Sequence, residues 1–127
     1  MDPNVKSALI GLHEHLNLET MVGLAQTKGY QVDSCSTPER MRELTGSDLY
    51  RMYIMDVNLG HPGSEEVGIA LEVYRMIKGR LENKEAKLMI VSATDGAIQK
   101  AMGLGIPKEY FKTKDRGIDF LREFFTD

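Results

Sequence analysis

Apolar residues in this chain come in short runs of strand length, each closed by charged, hydroxyl or turn-forming residues, and the runs alternate with stretches of helical periodicity. Ala8-Leu9-Ile10-Gly11-Leu12 is the first run and stops at His13-Glu14-His15. Between Leu16 and Lys28, the residues Leu18, Met21, Val22 and Ala25 recur at helical spacing, and Gly29 supplies a terminator. Tyr30 to Cys35 predicts a second strand. Ser36-Thr37-Pro38-Glu39 then offers a capping hydroxyl with proline at the first helical position, for a short helix ending near Gly46. Tyr53-Ile54-Met55, extended backward by Tyr50-Arg51-Met52, ends abruptly in Asp56, and His61-Pro62-Gly63-Ser64 can continue neither strand nor helix. Ser64-Glu65-Glu66-Val67 predicts the opening of a long helix to about Leu81, with Val67, Ala70, Leu71, Tyr74, Ile77 and Leu81 on one face. Lys87 to Val91 is a fourth strand closed by Ser92-Ala93-Thr94-Asp95-Gly96. A short helix from Ala97 to Leu104 is broken by Gly105-Ile106-Pro107, Tyr110 to Thr113 reads as a fifth strand, and Ile118, Leu121 and Phe125 mark a last helix.

Five successive strand-helix units whose strands are mostly apolar throughout predict a parallel sheet covered by helices on both faces. Right-handed crossovers leave few topologies for such units, and the expected fold is a flavodoxin-like, doubly wound α/β sheet of order 2-1-3-4-5. With 127 residues, 42% of them hydrophobic, the chain suits a single domain over residues 1–127 with one continuous fold.

Charge narrows the function classes. A formal net charge of -3, with no lysine or arginine cluster, argues against direct nucleic-acid binding. A single cysteine, Cys35, excludes an internal disulfide and reads as a small buried residue. No apolar run reaches membrane-spanning length and no signal-peptide pattern is present, so the expectation is a cytoplasmic protein without a membrane segment.

In a parallel sheet all carboxyl strand ends point the same way, so His13 and Glu14, Asp56, Ser92 and Lys114 should converge on one crevice. Paired carboxylates repel unless a cation joins them, and a hard divalent ion with oxygen ligands, magnesium first, is the natural partner. An alternative is a transition-metal site made by the triplet His13-Glu14-His15 with Asp56, which would need the strand to continue through His15.

Met55-Asp56-Val57-Asn58, Val91-Ser92-Ala93 and Phe111-Lys112-Thr113-Lys114, in this order and spacing, resemble the receiver domain of bacterial two-component response regulators. The resemblance covers nearly the whole chain. It implies that Asp56 accepts a phosphoryl group from a sensor histidine kinase or phosphotransfer protein, with at most self-catalysed phosphoryl transfer and autodephosphorylation as enzymatic activity. Ser92 would hydrogen-bond the acyl phosphate and Lys114, with Lys112 competing for the role, would pair with its charge. Mg2+ would be held weakly by Glu14, Asp56 and the backbone carbonyl of Asn58. The resemblance also implies a switch in which Ser92 moves inward and an aromatic ring follows, Phe111 or, in competition, Tyr110. Output would pass to a downstream protein or to an output domain beyond this chain, and the surface of the fourth helix, fifth strand and fifth helix could also support a homodimer.

Three departures from the family's pattern bear on that reading. The acidic pair after the first strand is His13-Glu14, the proline that usually follows the lysine is Asp115, and the loop Gly60 to Glu66 differs from the usual form. Fewer ligand charges predict weaker metal binding and slower phosphorylation. The alternative function is therefore a pseudo-receiver that binds partners without phosphorylation. A flavodoxin-like mononucleotide binder is a third reading, but the first strand is not followed by a glycine-rich, hydroxyl-rich phosphate loop.

Overall fold

The computed structural model describes residues 6–13, 15–61, 64–92 and 95–113. Its strands are β1 (Ser7–Gly11), β2 (Gln31–Cys35), β3 (Met52–Asp56), β4 (Lys87–Ser92) and β5 (Phe111–Thr113), and its helices α1 (His15–Thr27), α2 (Pro38–Ser47), α3 (Gly68–Glu82) and α4 (Asp95–Gly103). All pairings are parallel and the strand order is β2-β1-β3-β4-β5, as the sequence pattern predicts. The last helix expected around Ile118 to Phe125 lies outside the described residues.

The apolar runs are continuous because the central strands are buried on both faces. Along β3, Tyr53 and Met55 join one core with Leu9 of β1 and Leu88 and Ile90 of β4. Met52 and Ile54 join a second core with Ala8, Ile10, Met89 and Val91. The first core lies under α2, α3 and α4, while α1 covers the second with Leu18, Met21, Val22 and Ala25. Strand alternation thus assigns successive side chains to opposite cores, which leaves no solvent-facing position to carry a polar residue.

Local signals set the boundaries. Pro38 sits at the start of α2, where the Thr37 hydroxyl accepts from the Arg40 amide at 3.3 Å, satisfying one of the helix's unpaired donors. Gly29 leaves α1 with φ +89°, a left-handed conformation that ends helices. The long helix opens four residues later than its sequence suggests, at Gly68 rather than Ser64. Ser64 is spent on its own loop: its hydroxyl donates to the His61 carbonyl at 2.8 Å and accepts from the Glu66 amide at 3.2 Å, so it closes a local turn instead of capping a helix. The fourth helix starts at Asp95, two residues early, with a carboxylate in the first turn where the helix dipole favours it. Tyr110 belongs to a 3-10 turn over Lys108–Tyr110, in which its amide bonds the Pro107 carbonyl, and β5 begins only at Phe111.

At the amino-terminal edge of the sheet a polar network fixes the entry to β3. Arg80 of α3 donates to the Tyr53 hydroxyl at 2.8 Å and to the Tyr50 carbonyl at 2.7 Å, and the Tyr50 hydroxyl donates to Asp33 of β2 at 2.7 Å. Buried polar atoms at this edge are thereby paired, and the opposite edge is left to carry the site.

Candidate functional site

Asp56 ends β3, the middle strand of the sheet, and is wholly buried. Its strand continues past the end of regular pairing through the Val57 amide, which donates to the Val91 carbonyl at 2.9 Å. On β4, Asp56 is in register with Val91, so Ser92, itself buried, stands one residue beyond it on the neighbouring strand. On β1, Gly11 is in register with Met55, which brings the chain just past β1 alongside Asp56.

There the structure brings His13, expected at this crevice, into direct contact with Asp56. The backbone amide of His13 donates to Asp56 Oδ2 at 2.9 Å, and His13 Nε2 lies 3.3 Å from the same oxygen. The His13 side chain is 13% exposed and that of Asp56 1%. His13 Nδ1 is buried with no hydrogen-bond partner among the described residues. The imidazole is therefore held against the carboxylate by backbone placement and packing. At 3.3 Å its contact is longer than a charge-assisted N–H···O bond, which runs about 2.7–2.9 Å.

The loop after Asp56 is tightly built. The Asn58 side-chain amide donates to the Ser64 carbonyl at 2.9 Å, and the Asn58 carbonyl, the group expected to complete a metal shell, accepts from the His61 amide at 2.8 Å. One lone pair of that carbonyl is thus engaged in a turn, and no second backbone donor reaches it among the described residues. Gly60 adopts φ +85°, and a Cβ there would lie 2.5 Å from Pro38 Cδ, so the loop rests directly on the first turn of α2. Glu65 reaches across to the first turn of α4, where its Oε1 would meet a Cβ at Gly96 at 3.2 Å.

Of the residues expected to converge, His13, Asp56, Asn58 and Ser92 are described, and they gather at the carboxyl edge of the sheet. Glu14 and Lys114 lie outside the described residues. His15 opens α1, so the extended triplet needed for a His13-His15 metal pair does not form. Lys112 is in register with Val91 and half-buried. Phe111 is packed in the core at 9% exposure, while Tyr110 lies over Tyr74 with ring centroids 5.9 Å apart. An open groove of about 710 Å³ runs between α4 and β5, lined by Asp95, Ile98, Met102, Lys108 and Lys112 among others. It belongs to the face expected for docking, distinct from Asp56.

The donor set fits magnesium only in part. Asp56 supplies a buried carboxylate, but the group set against it is an imidazole, and among the described residues no three His, Cys, Asp or Glu side chains gather to hold an ion. Magnesium demands oxygen ligands in near-octahedral order.

No protein-family model matches the sequence, and no characterised protein matches it by sequence. Solved structures match it closely in fold. A CheY-like response regulator receiver domain from Methanospirillum hungatei shares 14% identity over 96% of this chain and 94% of its own, with a TM-score of 0.72. The receiver domain of a Francisella response regulator shares 16% identity over 94% and 93%, with a TM-score of 0.67. The receiver domain of a Pseudomonas aeruginosa sensor histidine kinase, solved with a magnesium ion coordinated in its active-site cleft, shares 12% identity over 95% and 94%, also at 0.67. At these identities the likeness carries the fold, and the fold is that of receiver domains.

Proposed function

We propose that this domain, built on the receiver fold, is a phosphoacceptor signalling module whose acceptor is Asp56. The observation that carries the reading is a fully buried carboxylate at the carboxyl end of the central strand, beside a buried serine on the next strand. The desolvation of that acid is offset in part by the His13 amide on Oδ2, which leaves the carboxylate poised at the edge, and a carboxylate oxygen is a competent nucleophile toward phosphorus. In the transfer, an Asp56 oxygen forms a bond to phosphorus as the bond from phosphorus to the donor imidazole of a histidine kinase or phosphotransfer protein breaks. The amide of His13 orients the carboxylate through Oδ2. Ser92 would donate to a phosphoryl oxygen, and Lys114, or Lys112 in its place, would balance the added charge. A divalent ion, when bound, neutralises charge on the phosphoryl oxygens, with Asp56, Glu14 and the Asn58 carbonyl as the groups that would hold it.

Output would pass through the groove between α4 and β5 to a partner protein, with Ser92 and Phe111 as the switch pair. Because Phe111 rests in the core, signalling would work by changing how the ring packs against Ile90 and α4. A second reading, a pseudo-receiver that docks partners without phosphorylation, is favoured by one specific observation, the imidazole of His13 lying against Asp56. Incubation with acetyl phosphate and a divalent ion, followed by intact-mass measurement, separates the two. The phosphoacceptor reading expects one phosphoryl adduct on the wild type and none on Asp56→Asn; an unmodified wild type under saturating donor would leave the pseudo-receiver.

A further inference from the structure

We propose that the amino-terminal half of β4 is a docking edge for an extended peptide segment in which apolar and acidic residues alternate. The edge lies at the end of the sheet away from Asp56, and the proposal holds whether or not Asp56 is phosphorylated.

The edge is open because β5 is short. β5 ends the sheet and pairs with β4 only at Ile90, Val91 and Ser92, so among the described residues no strand lies on that side of Lys87, Leu88 and Met89. Tyr110, which would continue the pairing, is held instead in its 3-10 turn by the bond from its amide to the Pro107 carbonyl. On the inner side, the Lys87 amide donates to the Arg51 carbonyl at 2.8 Å, toward β3. Backbone groups alternate in direction along a strand, so the N–H and C=O of Leu88 turn the other way, to the open side. An extended backbone laid there supplies the matching donor and acceptor, which is how a peptide adds a strand to a sheet edge.

The surroundings specify the side chains. A groove of about 490 Å³ runs along this edge, and strand alternation gives it two unlike faces. On one face Leu88 points into the first core, and Leu81 and Tyr110 line the same side. On the other, Lys87 stands two residues before Met89 of the second core, and Lys112 is in register with Val91 of that core, so both cations share this face. Successive side chains of an added strand alternate in the same way. Its apolar residues then meet Leu81, Leu88 and Tyr110, and its carboxylates meet Lys87 and Lys112.

Lys84 adds a third cation to the lining, from a backbone state that lysine does not favour: it follows the cap of α3 with φ +59°, where glycine is the usual residue. Strain of this kind is kept where a side chain has work to do. Glu82 and Glu109 also line the groove, against the three lysines, so the balance favours carboxylates without calling for a uniformly acidic segment. Lysines at an open edge oppose pairing between copies of the chain, because a second copy would bring the same lysines to the contact. An acidic partner segment meets no such repulsion.

The test uses the full 127-residue chain, isotope-labelled for amide NMR and without any phosphodonor, so that its outcome is independent of phosphorylation. The probe is an acetylated, amidated octapeptide of alternating valine and glutamate, and the control is the same peptide with lysine for glutamate. The first peptide should shift the Leu88 amide resonance and slow its hydrogen exchange by about tenfold or more, and it should bind at least about tenfold more tightly than the control. Lys87→Glu should weaken that binding by about tenfold. Lys84→Gly removes a cation while suiting the left-handed backbone, so it keeps the fold and should weaken binding by about threefold. Lys100→Ala, on the exposed side of α4, should change nothing. A Leu88 resonance unmoved at about 1 mM peptide, or equal affinity for the two peptides, would overturn the proposal. A Leu88 amide fully protected without peptide would overturn it too, because the chain's own backbone would then fill the edge.

Discussion

Replacing Gly60 by alanine tests whether the loop that carries Asp56 and Asn58 is braced against α2. Gly29→Ala serves as its control, because the two glycines share a backbone state and differ in surroundings: φ is +85° at Gly60 and +89° at Gly29. Placing an L-residue in this left-handed region costs about 1–2 kcal/mol, and the loss of unfolded-state freedom returns about 0.4–1 kcal/mol. Nothing lies within 4 Å of a Cβ at Gly29, so that variant should lose only about 0.5–1 kcal/mol. At Gly60 the new Cβ would lie 2.5 Å from Pro38 Cδ and 2.6 Å from Cγ. Pro38 cannot swing aside, because its ring fixes φ and it is the first residue of α2. Overpacking of this kind adds about 1–3 kcal/mol, giving about 2–4 kcal/mol in all for Gly60→Ala. Urea unfolding at 25 °C measures both variants, with equal m-values as the condition for comparing them. A loss at Gly60 no larger than that at Gly29 would refute the idea that this loop rests on the first turn of α2.

Two other expectations follow from buried titratable groups. Burial, and then the hydrogen bond and charge of Asp33, hold the Tyr50 phenol far above the ordinary tyrosine value. Such a group contributes stability that is complete below about pH 10, where the unfolded chain's tyrosine titrates, and is lost as pH rises further. Tyr50→Phe should cost about 1 kcal/mol at pH 7 and flatten the alkaline fall in stability; an unchanged alkaline slope in chemical denaturation would show that Tyr50 is not its source. Burial likewise pushes the Cys35 thiol up from 9.0 to about 11, against a smaller lowering by Arg40, and its Sγ contacts Met41 Sδ at 3.7 Å. A thiol raised from 9.0 to about 11 is about a hundredfold less ionised at neutral pH, so iodoacetamide should label Cys35 at least that much more slowly in the folded chain than in urea. Comparable rates would mean that the end of β2 opens readily.

The strands were legible because a sheet buried on both faces leaves an unbroken apolar signature, as in Tyr53-Ile54-Met55, and because Thr37-Pro38 and Gly29 mark helix ends by mechanisms that act within a few residues. The start of α3 was not legible, since nothing in the sequence shows that Ser64 will bond the His61 carbonyl and Glu66 amide before it can cap a helix. Asp56 stood out because an acid that ends an apolar run has one plausible edge to occupy. That His13 would lie near it followed from the parallel sheet, but the particular bond of its amide and the contact of its ring depend on the register between β1 and β3, a relation between residues 43 positions apart that local pattern does not encode. The sequence did place His13 where an acid was expected, and that substitution was the available signal. Phe111 shows the converse: an aromatic residue at a strand start reads equally as core or as a mobile ring, and only packing against the first core fixes its resting position.

The most direct measurement of the central claim is the mass of the intact chain after exposure to acetyl phosphate, in parallel incubations with magnesium, manganese and zinc. Phosphorylation at Asp56 predicts a single phosphoryl adduct on the wild type in at least one of these ions, its absence in Asp56→Asn, and its loss on treatment with hydroxylamine, which cleaves acyl phosphates. A wild type that stays unmodified with every ion, while circular dichroism shows it folded, would contradict the account and leave a receiver fold that works without the phosphoryl group.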